Sequence, residues 1–194
     1  MKKQNLTYNL EKYGDNENIL FITGLSGSGK TTLSYKLSYE YNGETKVLHF
    51  LEILRDVIGW DNVKAAVKNP LKGKKIGAYY GCLLLRPANV MKFDDPENPQ
   101  IIEDFIKAIG ATPVIFAQRN ECCGAYTMFE DNSIPEKRAN AIISNAEDFG
   151  AEMLVTSCPL CRYNLIKNKK DSNLDVIYFT ELLAEALGVK DAAL

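Results

Sequence analysis

Apolar residues in this chain recur in short runs separated by longer stretches with helical spacing. Four runs, residues 76–80, 114–117, 153–156 and 176–179, are too brief for helices and lie between turn-forming residues, so they read as strands. The stretches between them carry the other period. Ile101, Ile102, Phe105, Ile106 and Ile109 form one stripe closed by Gly110, and Pro135, Ala139, Ile142, Ile143 and Ala146 form a second closed by Gly150. Pro159 suits the first turn of a third helix. Thr180 is the expected N-cap of a last one over 182–187, ending at Gly188. Strand and helix alternate, which predicts an α/β fold: a Rossmann-like parallel sheet with helices on both faces.

Upstream the pattern changes. Residues 18–23 form another strand candidate, followed by Leu33, Leu37 and Tyr41 on one helical face. From Val47, the spacing of Phe50, Leu51, Leu54, Val57 and Ile58 is helical, and residues 60–67 continue as a second short helix before Pro70 and Gly73 break it. The expected organisation is a strand–loop–helix segment over 1–43, a helical connector over 44–72, and an α/β domain over 73–194.

Composition narrows the function. With 194 residues and 46% hydrophobic content the chain can bury a substantial core. A net charge of -2 without a basic stripe gives no electrostatic footprint for nucleic acid. The Lys167-Asn168-Lys169-Lys170 run reads as a solvated helix end. Residues 1–18 lack the apolar core of a secretory signal, and no stretch is long enough for a membrane span, so a cytoplasmic location is expected. His49, the one histidine, lies within an apolar helical pattern and reads as a packed or surface side chain.

Two motifs carry chemistry. Gly24-Leu25-Ser26-Gly27-Ser28-Gly29-Lys30-Thr31 matches the P-loop pattern and sits between a strand and a helix candidate. In such a loop Gly24, Gly27 and Gly29 let backbone N–H groups wrap a phosphate, Lys30 reaches the terminal phosphates of ATP, and Thr31 holds magnesium. The remainder of a P-loop kinase, including an acidic residue ending a later strand, is not evident, so this reads as a truncated segment that binds phosphate without working as an NTPase.

The second motif is the cysteine set. Cys82 follows the first strand of the α/β domain, Glu121-Cys122-Cys123-Gly124 follows the second, and Cys158-Pro159-Leu160-Cys161 follows the third; these are all five cysteines. Ligands of open α/β sheets gather at the carboxyl ends of the strands, so three thiol-bearing loops are expected to meet there. Four such ligands would make an ordinary zinc site, and a fifth suits an iron–sulfur cluster better.

A lone Cys, a distant Cys-Cys-Gly and a closing CxxC resemble the cysteine-rich CCG domain found in the B subunit of heterodisulfide reductase and its relatives. The Tyr80-Gly81-Cys82-Leu83-Leu84-Leu85-Arg86-Pro87 and Asp94-Asp95-Pro96-Glu97-Asn98-Pro99 segments are similar to the second of the two CCG domains in that protein. Residues 44–72 resemble the segment between its halves, and the P-loop stands where a first CCG domain is expected. The resemblance implies a non-cubane [4Fe–4S] cluster on Cys82, Cys122, Cys123, Cys158 and Cys161, acting at a disulfide such as CoM-S-S-CoB. It also implies electron-delivering iron–sulfur or flavin subunits as partners, and a second CCG domain. Gly81 and Pro159 are candidates for a supporting shell, and Arg86 and Arg119 for steadying an anionic thiol substrate. The alternative is a P-loop nucleotide-binding protein with a zinc-stabilised cysteine domain.

Overall fold

The structure, a computed structural model, describes residues 48–189. The P-loop residues Gly24, Gly27, Gly29, Lys30 and Thr31, and the strand and helix expected around them, lie outside the described residues. The chain divides into two compact units, the second beginning at Ala66.

In the first unit, helix α1 (Phe50–Glu52) continues as a π-helical segment, Ile53–Ile58. His49 caps it: its Nδ1 accepts the Leu51 N–H at 3.1 Å, and its own N–H donates to Glu52 Oε2 at 2.8 Å. The single histidine thus serves as a helix cap. Gly59, at φ 82°, ends the segment, and α2 (Trp60–Ala66) follows.

The second unit is built on four parallel strands: β1 (Lys75–Tyr79), β2 (Thr112–Val114), β3 (Met153–Thr156) and β4 (Asp175–Tyr178). Their spatial order is β2-β1-β3-β4. The connections carry α3 (Ala88–Met91), α4 (Ile101–Ala108), α5 (Ser133–Asp148) and α6 (Pro159–Asn168), and α7 (Phe179–Leu187) follows β4.

Side chains alternate across each strand, so the register defines the faces. Val114, Gly77, Leu154 and Val176 stand in one row across the sheet. That row joins a core containing Ala139, Ile142, Ile143 and Ala146 of α5 and Leu165 of α6. The opposite row includes Ala78 and Val155, both fully buried. On that side Phe105 of α4 meets Phe179 of α7 edge to face, with centroids 5.9 Å apart. This is the expected parallel α/β sheet covered on both sides.

Two local expectations are corrected. The second strand ends at Val114 rather than running over 114–117. Past Val114 the backbone takes other partners: the Gln118 N–H bonds Asn145 Oδ1 at 3.0 Å, and Arg119 N–H closes a turn onto the Phe116 carbonyl at 3.4 Å. The last helix begins at Phe179, with Tyr178 as N-cap and its N–H given to the Glu181 carboxylate at 3.4 Å, so Thr180 lies inside the helix.

Candidate functional site

Strand order reverses between β1 and β3: the chain leaves β1 for β2 on one side and returns to β3 on the other. Open parallel sheets bind ligands at this switch point, beyond the carboxyl ends of the strands. Cys82 lies three residues past the end of β1 and Cys158 two residues past β3. The loop after β2 supplies Cys122 and Cys123, and the first turn of α6 supplies Cys161. All five thiols are free.

Their contacts fall into two groups. Cys123 and Cys161, both buried, have Sγ atoms 3.7 Å apart, and Cys158 is hydrogen-bonded to Cys161. Cys82 neighbours Cys122, which raises its pKa. The groups are near neighbours, because Cys161, Cys123, Cys122 and Cys82 all lie close enough to the Tyr79 hydroxyl to help raise its pKa. Cys82, Cys122 and Cys158 are half-buried, whereas Cys123 and Cys161 are buried. Among the described residues, no three His, Cys, Asp or Glu side chains stand ready-grouped to hold a metal ion.

The thiols differ in acidity. Cys158 is drawn down to about 6, chiefly by its hydrogen bond with Cys161 and further by the Cys161 and Leu160 amides. Its Sγ is the N-cap acceptor of α6, receiving the Cys161 N–H at 3.3 Å. Cys123 is also lowered, first by its hydrogen bond with Cys161. Cys161, which serves both neighbours, is pushed far up and keeps its proton. Burial and the Cys122 contact raise Cys82 to about 11.

Backbone geometry makes room for the sulfurs. Gly81 has φ 68°, and a Cβ there would stand 2.9 Å from Cys161 Sγ, so only glycine lets the β1 loop pass this closely. Gly124 has φ 78° and gives its N–H to Cys122 Sγ at 3.3 Å.

Supporting side chains hold the cysteine loops by their carbonyls. Tyr79 Oη donates to the Glu121 carbonyl at 2.8 Å, Arg138 Nε to the Cys122 carbonyl at 3.1 Å, and Asn164 Nδ2 to the Cys123 carbonyl at 2.9 Å. Tyr178 Oη donates to the Ser157 carbonyl, just before Cys158. The sequence pattern singles out none of these four. Asn164 leaves a signal, a polar residue three positions after Cys161 on a face whose next member is the fully buried Leu165.

The arginines expected to steady a substrate are otherwise engaged. Arg119 is buried and pairs with Glu103 at 3.3 Å, so it is withdrawn from the site. Arg86 donates to the Asn120 and Pro96 carbonyls at 2.9 and 3.1 Å, bracing the loop that leads to Cys122. The Asp94–Pro99 segment also has a structural use: Asp94 Oδ2 caps α4 by accepting the N–H groups of Gln100 and Ile101 at 2.8 and 2.7 Å.

A doubly covered parallel sheet with five thiols gathered at its switch point defines a cysteine-rich α/β domain. Comparison with known proteins gives the same answer: residues 76–166 match the CCG family, described as a cysteine-rich domain. The second unit therefore carries a CCG domain.

Among similar proteins, the membrane anchor subunit of the 8-methylmenaquinol:fumarate reductase of Wolinella succinogenes is 32% identical over 162 residues, covering 79% of this chain and 56% of the relative. The B subunit of the ferredoxin/F(420)H(2)-dependent CoB-CoM heterodisulfide reductase of Methanosarcina acetivorans is 29% identical over 166 residues, with 79% and 54% covered. The B subunit of the ferredoxin:CoB-CoM heterodisulfide reductase of Methanosarcina mazei is 27% identical over 167 residues, with 79% and 54% covered. The chain spans about half the length of these relatives. They support a redox-related role. One is named a membrane anchor, yet no helix among the described residues is long and apolar enough to cross a membrane.

Proposed function

We propose that the five cysteines bind an iron–sulfur cluster and that the chain reduces a disulfide, or relays electrons to one, within a reductase complex. The observation that carries this reading is the gathering of all five thiols, from three loops, at the switch point. The donor set fits the cofactor. Five sulfurs exceed the four ligands of a structural zinc site, and iron–sulfur clusters are held by thiolates. Glycine at position 81 also leaves the space beside Cys161 that bulkier residues would fill.

Cys82, Cys122, Cys123, Cys158 and Cys161 would be the ligands of a [4Fe–4S] cluster, non-cubane by resemblance. Such a cluster supplies one-electron transfer and iron with affinity for sulfur. The chain's own residues prepare the ligands. The pKa of Cys158, lowered to about 6, favours its thiolate at neutral pH, and the Gly124 and Cys161 amides donate to sulfur. A disulfide would approach by way of the half-buried Cys82, Cys122 and Cys158 rather than the buried Cys123 and Cys161. The overall change is RS–SR′ + 2e⁻ + 2H⁺ → RSH + R′SH, with electrons from an iron–sulfur or flavin protein of the complex. The names of the relatives, each a component of a reductase, support such a partner, and a second CCG domain is part of the same proposal.

Anaerobic purification followed by iron, zinc and acid-labile sulfide analysis tests the reading, with disulfide turnover measured on the same sample using a reduced viologen. Iron and sulfide in matching amounts are expected. Stoichiometric zinc without sulfide would overturn it in favour of the zinc-stabilised, nucleotide-binding alternative, which the P-loop pattern at 24–31 favours.

A further inference from the structure

Three consecutive carbonyls, those of Glu121, Cys122 and Cys123, are each held by a side chain from a different element: Tyr79 of β1, Arg138 of α5 and Asn164 of α6. The last has a particular consequence. The Cys123 carbonyl and the Gly124 N–H belong to one peptide unit, and in a planar trans peptide they point in opposite directions. Fixing the carbonyl on Asn164 therefore aims the N–H the other way, and it lies 3.3 Å from Cys122 Sγ.

Asn164 is itself oriented. Only 1% exposed, it accepts the Asn168 Nδ2–H on its Oδ1 at 2.8 Å, which leaves its Nδ2 for the Cys123 carbonyl. Asn168 is tied in turn, its carbonyl accepting Asn140 Nδ2 at 2.9 Å. A buried amide costs free energy unless its donors are used; the shorter bond, at 2.9 Å, goes to the peptide between the paired cysteine and its glycine, and a longer one, at 3.5 Å, to the Pro135 carbonyl. Hydrogen bonding to the carbonyl also polarises the amide, strengthening its donation on the far side.

We propose that Asn164 is a positioning residue that fixes the Gly124 N–H on Cys122 Sγ and thereby raises the reduction potential of the site. The influence on potential rests on the cluster reading above, since N–H···S bonds favour the more negatively charged, reduced state of a thiolate-bound cluster. The placement of the amide holds without it.

The test compares the wild-type chain with Asn164→Leu, which keeps the volume and removes the donor, and with Asn168→Ala, which only frees the Asn164 amide. In the metal-free chain, amide hydrogen exchange is followed at Gly124, and at Cys161, whose N–H reaches Cys158 Sγ without help from Asn164. Exchange at Gly124 should quicken about tenfold in Asn164→Leu and by less in Asn168→Ala, with Cys161 unchanged. In the anaerobically isolated protein, a redox titration followed by electron paramagnetic resonance should show the ratio of reduced to oxidised cluster, at the wild-type midpoint, falling about tenfold. Equal quickening at both amides would reduce Asn164 to a packing residue. An unchanged Gly124 amide overturns the proposal, and so does an unchanged potential at full iron and sulfide content. If the wild-type chain holds zinc, the cluster reading and the potential fail together, while the amide measurement still decides the placement. Should Asn164→Leu not fold, Asn168→Ala carries the same comparison.

Discussion

The Tyr79 hydroxyl donates to the carbonyl of Glu121 at 2.8 Å, so the last residue of β1 is tied to the residue just before the paired cysteines. Tyr79 is fully buried, and its own pKa is raised by burial and by the thiols around it, which keeps it a donor. The bond joins two of the three cysteine loops across 42 residues of sequence. Tyr79→Phe keeps the ring and orphans the carbonyl, and such losses cost about 1–2 kcal/mol. In urea, the midpoint should fall with the slope unchanged. An unchanged midpoint would show that the loops are held by other contacts.

Gly81→Ala should damage the site more than its backbone strain explains. At φ 68° an alanine is strained by about 1–2 kcal/mol, and its Cβ also meets Cys161 Sγ at 2.9 Å. Gly73 provides the control, with φ 82° and nothing within 4 Å of an added Cβ. If the cysteines hold the proposed cluster, Gly73→Ala should lose stability and keep iron, whereas Gly81→Ala should lose both. Equal iron content in the two variants would separate Gly81 from metal binding.

These contacts mark the boundary of what the sequence discloses. The parallel sheet follows from short apolar runs between helical stripes, a strong periodic signal, and the topology bears it out; Cys82 and Cys158 stand three and two residues past their strands. The edge strand departs from its expected span because the 114–117 run is apolar for another reason: Phe116 turns into the core without pairing as strand. The supporting shell is not legible in the sequence. Asn164 meets Cys123 across 41 positions and Arg138 meets Cys122 across 16, and no local spacing encodes such pairs. Arg119 illustrates the opposite error, a charge near the motif whose partner, Glu103, is already inside the protein.

The P-loop pattern at residues 24–31 predicts phosphate binding with little hydrolysis, because phosphoryl transfer needs a further magnesium ligand and a residue to orient the nucleophile. ATP hydrolysis by the chain should match that of Lys30→Ala, while nucleotide binding should weaken in the variant. A magnesium-dependent rate that vanishes in Lys30→Ala would make nucleotide turnover part of the function.

Glu103 should give the fold a measurable pH dependence. Its side chain is fully buried, facing Arg119 at 3.3 Å, with Tyr80 donating its hydroxyl to Oε2 and Asp94 nearby. Burial raises its pKa above the ordinary 4.5; the Tyr80 bond and the Arg119 charge pull it back without cancelling the shift. Neither Glu103 Oε1 nor Arg119 Nε has a well-aligned hydrogen bond, so the pair compensates poorly for its desolvation. Between the unfolded and folded pKa values the folded state holds the extra proton, so stability must fall as pH rises through that window. Glu103's contribution is complete below 4.5 and is lost as pH passes its folded pKa. Glu103→Gln cannot ionise, which removes this slope and leaves every other titrating group in place. Urea midpoints of both proteins, measured from pH 4.5 upward, should therefore show a difference that shifts in favour of the variant with rising pH. A difference independent of pH would mean that Arg119 keeps the carboxylate charged throughout, and the pair would then be a conventional buried salt bridge.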